Sequence, residues 1–157
     1  MKKCIILQIN YLILICLFIP CVAIAQPICQ IQRFSAYNGL AQRSVTNILQ
    51  DSKGFIWFST WNGLNKFDGY TFKNYKAFPG DGCTLTSNRL AKITQTQTCD
   101  IWCQTYDLRI YLFDSRREKF IDILRPYENE KQQTYAVQNV YTLPKGVSWI
   151  VCDRGAF

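Results

Sequence analysis

The 157-residue sequence contains no histidine. That absence excludes every histidine general base, histidine metal ligand and phospho-accepting histidine within this chain. No pair of cysteines has C-x-x-C spacing, so a zinc site has no support and neither a metal nor a cofactor is expected. A long polar tract is also missing. Charged residues make up 18% and aromatic residues 15%, a globular composition rather than a disordered one. The formal charge of +7 is scattered, as where Asp114 and Glu118 flank Arg116 and Arg117. A continuous basic surface is therefore not expected, and nucleic acid is not an expected partner.

What is present begins with a targeting pattern. Lys2 and Lys3 precede the apolar run "YLILICLFI" (11–19), Pro20 breaks it, and Ala23 and Ala25 form an A-x-A cleavage site. Residues 1–25 thus read as a secretory signal peptide. An uncleaved anchor and a lipoprotein site at Cys21 are the alternatives. Gln8 and Asn10 interrupt the longer run needed for the first, and the bulky Ile19 and Pro20 disfavour the second. Cys29, Cys83, Cys99, Cys103 and Cys152 follow the signal. An oxidising compartment allows a disulfide, whose connectivity the sequence does not give. Cys103 and Cys152 fall inside expected strands and read as small apolar residues.

The remainder repeats. Trp57, Trp102 and Trp149 stand 45 and 47 residues apart. Nine residues before each is a β-branched residue (Ile48, Ile93, Val140), and three before that another apolar one (Val45, Leu90, Val137). A turn precedes each tryptophan: "DSKG" (51–54), "TQTCD" (96–100), "LPKG" (143–146). Such a period indicates a repeat architecture of the β-propeller kind. Helical repeats fail because the segments are short, β-branched, aromatic and cut by glycine. The expected fold is all-β: an incomplete propeller of about two and a half four-stranded antiparallel blades. Residues 26–43 read as a lead-in, 44–78 as the first blade, 89–123 as the second and 134–157 as a partial third. Within the first blade the strands are expected at 44–50, 55–60, 64–68 and 71–78. The segment 125–133 is expected as a connecting loop. The tryptophans are expected to pack between blades.

On these residues the chain resembles the two-component regulator propeller repeat. The segment "GLAQRSVTNILQDSKGFIWFSTWNGLNKFDGYTFKNY" (39–75) carries the likeness, and "FSAYNGL" (34–40) resembles the start of such sensors after their signal peptide. More narrowly, the chain is similar to the N-terminal part of the periplasmic sensor region of Bacteroidetes-type hybrid two-component histidine kinases. The second blade departs from the pattern, since "CDIWCQTYDLRIYLFD" (99–114) lacks the glycine after its turn. The resemblance implies a homodimeric sensor of glycan-derived oligosaccharides that signals to a kinase outside this chain. It also implies that the chain is a fragment, with open sheet edges and a tendency to self-associate.

In an antiparallel meander the loops joining the second strand to the third share one face with the longer connections between blades. Loops of that length are where binding usually resides. On this face stand Trp61 and Asn62, Tyr106 and Asp107, then Asp153 and Arg154. Aromatic faces stack on sugar rings, and Asn, Asp and Arg bond hydroxyls or a uronate. Trp61, Asn62, Tyr106, Asp107 and Arg154 are therefore the candidate ligand residues, against a plain reading of Asn and Asp as turn formers. Two alternative functions remain: a propeller-type lyase or glycosidase fragment, and a non-catalytic interaction scaffold. No carboxylate pair is placed by spacing to flank a glycosidic bond, so no catalytic residue is assigned.

Overall fold

The computed structural model describes residues 31–77 and 85–157, and the fold below is that of the unit Arg33–Phe157. The signal peptide expected at 1–25, the start of the lead-in, Cys29, Cys83 and most of the 79–88 connection lie outside the described residues. No helix among the described residues is long and apolar enough to cross a membrane.

Among the described residues, eleven strands form three antiparallel sheets in chain order. The first sheet holds β1 (Val45–Gln50), β2 (Ile56–Thr60), β3 (Gly63–Phe67) and β4 (Phe72–Tyr75). The second holds β5 (Leu90–Gln95), β6 (Ile101–Thr105), β7 (Ile110–Asp114) and β8 (Lys119–Asp122). The third holds β9 (Val137–Thr142), β10 (Ser148–Cys152) and β11 (Gly155–Ala156). Each is a meander, and β1 lies beside β5. This is the architecture of an incomplete propeller.

The tryptophan repeat is a register repeat. Trp57 pairs with Leu49, Trp102 with Thr94 and Trp149 with Tyr141. Every first strand is bulged at one place, between Val45 and Asn47, between Leu90 and Lys92, and opposite the Val151–Cys152 step. A bulge adds one residue to a strand and increases its twist. The turn after each first strand also recurs: Asp51, Thr96 and Leu143 each donate a backbone N–H to the carbonyl four residues on. The residue after this turn's corner is left-handed in all three, at Gly54, Cys99 and Gly146. Cys99 thus holds a glycine's conformation without glycine, with φ 67°.

Packing lies between the sheets. Trp57 is buried and meets Phe113 of the second sheet edge-on at 5.6 Å. Tyr75 also reaches Phe113, at 4.6 Å. Trp102 joins Val137, Ile150 and Cys152 of the third sheet. The tryptophans of the first two sheets thus pack between blades, while Trp149 is 48% exposed. Cys103 and Cys152 are buried free thiols within these layers, so they act as small apolar residues. Burial pushes the Cys103 thiol well above the ordinary range and also raises that of Cys152.

Three local expectations need correction. The 125–133 connection contains a helix, α1 (Arg125–Lys131). The Asp122 carboxylate accepts the Leu124 and Arg125 N–H groups ahead of it, and Pro126 suits a first turn. The last strand of the first sheet is shorter than the expected 71–78, ending at Tyr75. Tyr75 turns into the core, whereas Lys73 and Asn74 are both exposed. The third sheet also includes β11, a strand start not expected from the sequence.

Candidate functional site

The turns after β2, β6 and β10 are stapled to the segments preceding β1, β5 and β9. The N–H groups of Trp61, Tyr106 and Asp153 donate to the carbonyls of Ser44, Arg89 and Ala136 at 3.2, 3.0 and 3.0 Å. One bond, three times, gathers these loops on a common face. Buried Thr60 fixes the first turn, its hydroxyl donating to the Gly63 carbonyl and accepting from the Asn62 N–H.

At Gly63 the backbone leaves no room for a side chain. A Cβ there would lie 2.3 Å from the Tyr75 carbonyl oxygen, and φ is 99°. The second sheet relieves the constraint with a longer turn, where Leu108 takes φ 61° and remains about half exposed.

The stapling brings Trp61 and Tyr106 together. Their rings meet edge to face with centroids 6.1 Å apart, one from each of two neighbouring sheets. They remain 42% and 52% exposed, an unusual state for two large rings in contact. The Arg89 guanidinium lies 4.7 Å from the Trp61 ring centroid, a cation–π distance. Sequence reasoning missed Arg89. It sits one residue before β5, and only the path of the connecting loop carries it over the ring.

The other candidates do not join this pair. Asp107 accepts the Thr86 hydroxyl at 2.9 Å, and that hydroxyl also meets Tyr111 Oη at 2.8 Å. Asn62 reaches the Ala41 carbonyl at 3.4 Å. Asp153 accepts the Ala136 N–H, and Arg154 faces Asp153 at 3.7 Å. Asn62, Asp107 and Asp153 therefore hold loops in place, as turn formers do. Arg154 lies in the third sheet's loop with an exposed side chain.

Beside this face, Arg109 sits between two carboxylates. Its guanidinium bonds Glu128 of α1 through both terminal nitrogens and Asp122 at 3.1 Å. Glu128 also accepts the Tyr135 N–H at 3.0 Å. The bond from Arg109 holds Glu128 below the usual carboxylate range, and the same bond raises Arg109. This clamp ties α1 to the second sheet. Among the described residues no group of three or more His, Cys, Asp or Glu side chains could hold a metal ion.

The arrangement exposes two aromatic rings and one cation on the same face. Residues 39–62 match the two component regulator propeller model. A curated relative, histidine kinase P4 of Formosa agariphila, is 47% identical over 53 residues, 34% of this chain and 4% of the relative. The extracellular domain of a hybrid two component system from B. thetaiotaomicron matches 76% of this chain and 17% of its own, at 28% identity and TM-score 0.63. A second B. thetaiotaomicron extracellular domain, from a one component system, matches 78% of this chain and 18% of its own, at 22% identity and TM-score 0.56. It shares the fold. The chain thus spans a small part of the length of these relatives.

Proposed function

We propose, for a chain that carries a two-component regulator propeller repeat, that it forms the leading part of an exported sensing propeller. In this reading it lies in the periplasm and takes glycan-derived oligosaccharides on the face bearing Trp61 and Tyr106. It reports to a kinase elsewhere in a homodimeric full-length sensor and does no chemistry itself. The observation that carries the reading is the exposed Trp61–Tyr106 contact across two sheets. Large rings left open to water on a loop face suit the apolar side of a sugar, and Arg89 suits its acidic or hydroxyl groups. Asn62, Asp107 and Arg154 then serve as the polar surround.

The test places residues 33–157 in the corresponding position of a similar extracellular sensor domain. Calorimetric titration with a panel of plant, algal and host oligosaccharides should find one that binds. Trp61→Ala should then weaken that binding roughly tenfold, as loss of an aromatic contact of about 1 kcal/mol or somewhat more implies. A panel that binds the chimera equally well with and without the Trp61 ring would remove this face from the site.

A further inference from the structure

The turn joining β6 to β7, Thr105–Arg109, reaches several other parts of the chain. The Tyr106 ring meets Trp61 of the first sheet, and its N–H donates to the Arg89 carbonyl at 3.0 Å. The Asp107 carboxylate accepts the Thr86 hydroxyl at 2.9 Å. The Leu108 carbonyl accepts the N–H of Val137, the first residue of β9, at 2.7 Å. The Arg109 guanidinium holds Glu128 of α1 through both terminal nitrogens.

Thr105 closes this turn into one piece. Its backbone N–H and its hydroxyl both donate to the Arg109 carbonyl, at 3.0 and 3.2 Å, and the hydroxyl accepts the Arg109 N–H at 3.2 Å. Thr105 itself is fully buried. Between the closed ends Leu108 holds φ 61°, a left-handed backbone that costs a leucine energy. The Tyr106 ring and the Arg109 guanidinium are thus mounted on a single short, closed loop, and a displacement of one carries the other with it.

Helix α1 depends on that guanidinium. It is seven residues long with none of them buried. Helices shorter than about 12 residues are marginal in water unless something docks them. Glu128 does the docking. Its carboxylate takes Arg109 and also the Tyr135 N–H at 3.0 Å, beyond the helix. Its carbonyl accepts the N–H groups of Gln132 and Gln133, which end the helix. Tyr127 adds a ring contact with Phe157 at 5.6 Å. Without Arg109 in place, the Glu128 carboxylate loses its cation and α1 loses its tie to the second sheet.

We propose that α1 is a switch element coupled to the loop face: it stays folded and docked while Tyr106 sits against Trp61, and it melts when the turn is displaced. The contacts Trp61–Tyr106, Arg109–Glu128 and the closed turn between them carry the coupling. A segment that orders or melts with a neighbouring loop is an established kind of switch. Coupling between two sites acts in both directions, so a molecule that seats on the two rings and fixes the turn also stabilises α1. That last step rests on the ligand reading of the loop face. The coupling itself does not, and it is tested first without a ligand.

Amide hydrogen exchange on the full chain, read by mass spectrometry, reports local opening. Peptides spanning 125–133 report α1, and peptides spanning 58–64 report the loop that carries Trp61. Tyr106→Ala should speed exchange in 125–133 roughly fivefold or more, the lower end of couplings between sites. Tyr106→Phe, which keeps the ring, should leave it unchanged. In the other direction, Glu128→Gln should speed exchange in 58–64. Lys73→Gln cuts the ion pair to Glu118 that also bridges the first two sheets, and should alter neither peptide. If Tyr106→Ala loses its β spectrum, Trp61→Ala removes the same ring contact from the other side and must speed exchange in 125–133. Unchanged exchange in 125–133 with either ring removed overturns the proposal. So does an effect of Glu128→Gln confined to 125–133, or an equal effect of Lys73→Gln. In the chimeric sensor domain, an oligosaccharide of the panel that binds should slow exchange in 125–133. One that binds and leaves 125–133 unchanged overturns the ligand step, whereas a panel without a binder counts against the ligand reading and leaves the coupling to stand or fall on the variants.

Discussion

Asp51 accepts the indole N–H of Trp57 at 2.8 Å, and its other carboxylate oxygen accepts the backbone N–H groups of Lys53 and Phe55 at 2.9 and 3.0 Å. One buried side chain thus closes the turn between β1 and β2 and orients the ring that packs on the second sheet. The second sheet manages differently. Thr96 stands in the same place, its hydroxyl accepting the Asp100 N–H at 3.0 Å and meeting the Thr98 hydroxyl at 2.8 Å, while Trp102 donates to Ser148 across the sheets.

Replacing Asp51 by Ala leaves three donors without that acceptor, one of them on a buried ring. Hydrogen bonds to charged groups contribute about 1.5–3 kcal/mol each, and losses within one group overlap. The expected destabilisation is about 3 kcal/mol in urea or thermal unfolding. Asp51→Thr, which copies the second sheet, should lose less than Asp51→Ala. Equal losses would mean that the turn bonds contribute nothing and only the indole bond matters.

Gly63 and Leu108 make an opposed pair. Gly63→Ala should cost more than about 2 kcal/mol, because a Cβ meets the Tyr75 carbonyl at 2.3 Å as well as facing a positive φ. Leu108→Gly should raise stability by up to about 1 kcal/mol, since left-handed backbone costs a leucine more than glycine's extra unfolded-state freedom does. Denaturant midpoints of the two variants decide the matter, and a destabilised Leu108→Gly would show that the leucine side chain contributes packing despite its exposure.

The Arg109 clamp sets an acid limit. Glu128 ionises below its ordinary value of 4.5, so its contribution is fully present above about that pH and is lost as pH falls through the lower folded value. Asp68, Asp114 and Glu118 are shifted in the same direction by their own hydrogen bonds. The wild-type slope therefore sums several groups, and the comparison with Glu128→Gln isolates one. The variant should be less stable than wild type at pH 7, and the gap should narrow as pH drops below about 4.5. A gap independent of pH would remove Glu128 ionisation from the account.

Much of this architecture is legible in the sequence because its strands are short and its turns demand particular backbone. The tryptophan spacing reports register directly, since Trp57, Trp102 and Trp149 take equivalent places in their ladders. The glycine pattern reports less, because Cys99 and Leu108 accept left-handed backbone where the other copies use glycine. Helix α1 is hidden for a different reason. None of its residues is buried, so it carries no apolar stripe to read. Trp61 and Tyr106 are legible as loop aromatics on one face. Their contact and the position of Arg89 depend on how the loops are stapled, which residue spacing does not encode.

The loop face yields the last prediction. Trp61 and Tyr106 offer ring edges and faces to any pyranose, whereas Arg89 offers charge. In the chimeric sensor domain, Trp61→Ala should weaken neutral and acidic oligosaccharides alike. Arg89→Gln should weaken uronate-containing oligosaccharides more, by roughly tenfold for one charge-assisted hydrogen bond of about 1.5 kcal/mol. That excess should shrink with added salt, because the site is exposed and screening acts over about 10 Å. Tyr70→Ala is the control: it lies on the turn between β3 and β4 and is fully open to solvent, so affinity should not change. Arg89→Gln also removes a cation from the Trp61 ring, so a loss equal for neutral and acidic sugars would assign Arg89 to holding the tryptophan rather than to the ligand. Weakening by Tyr70→Ala with normal binding by Trp61→Ala would place the ligand on the opposite face of the sheets.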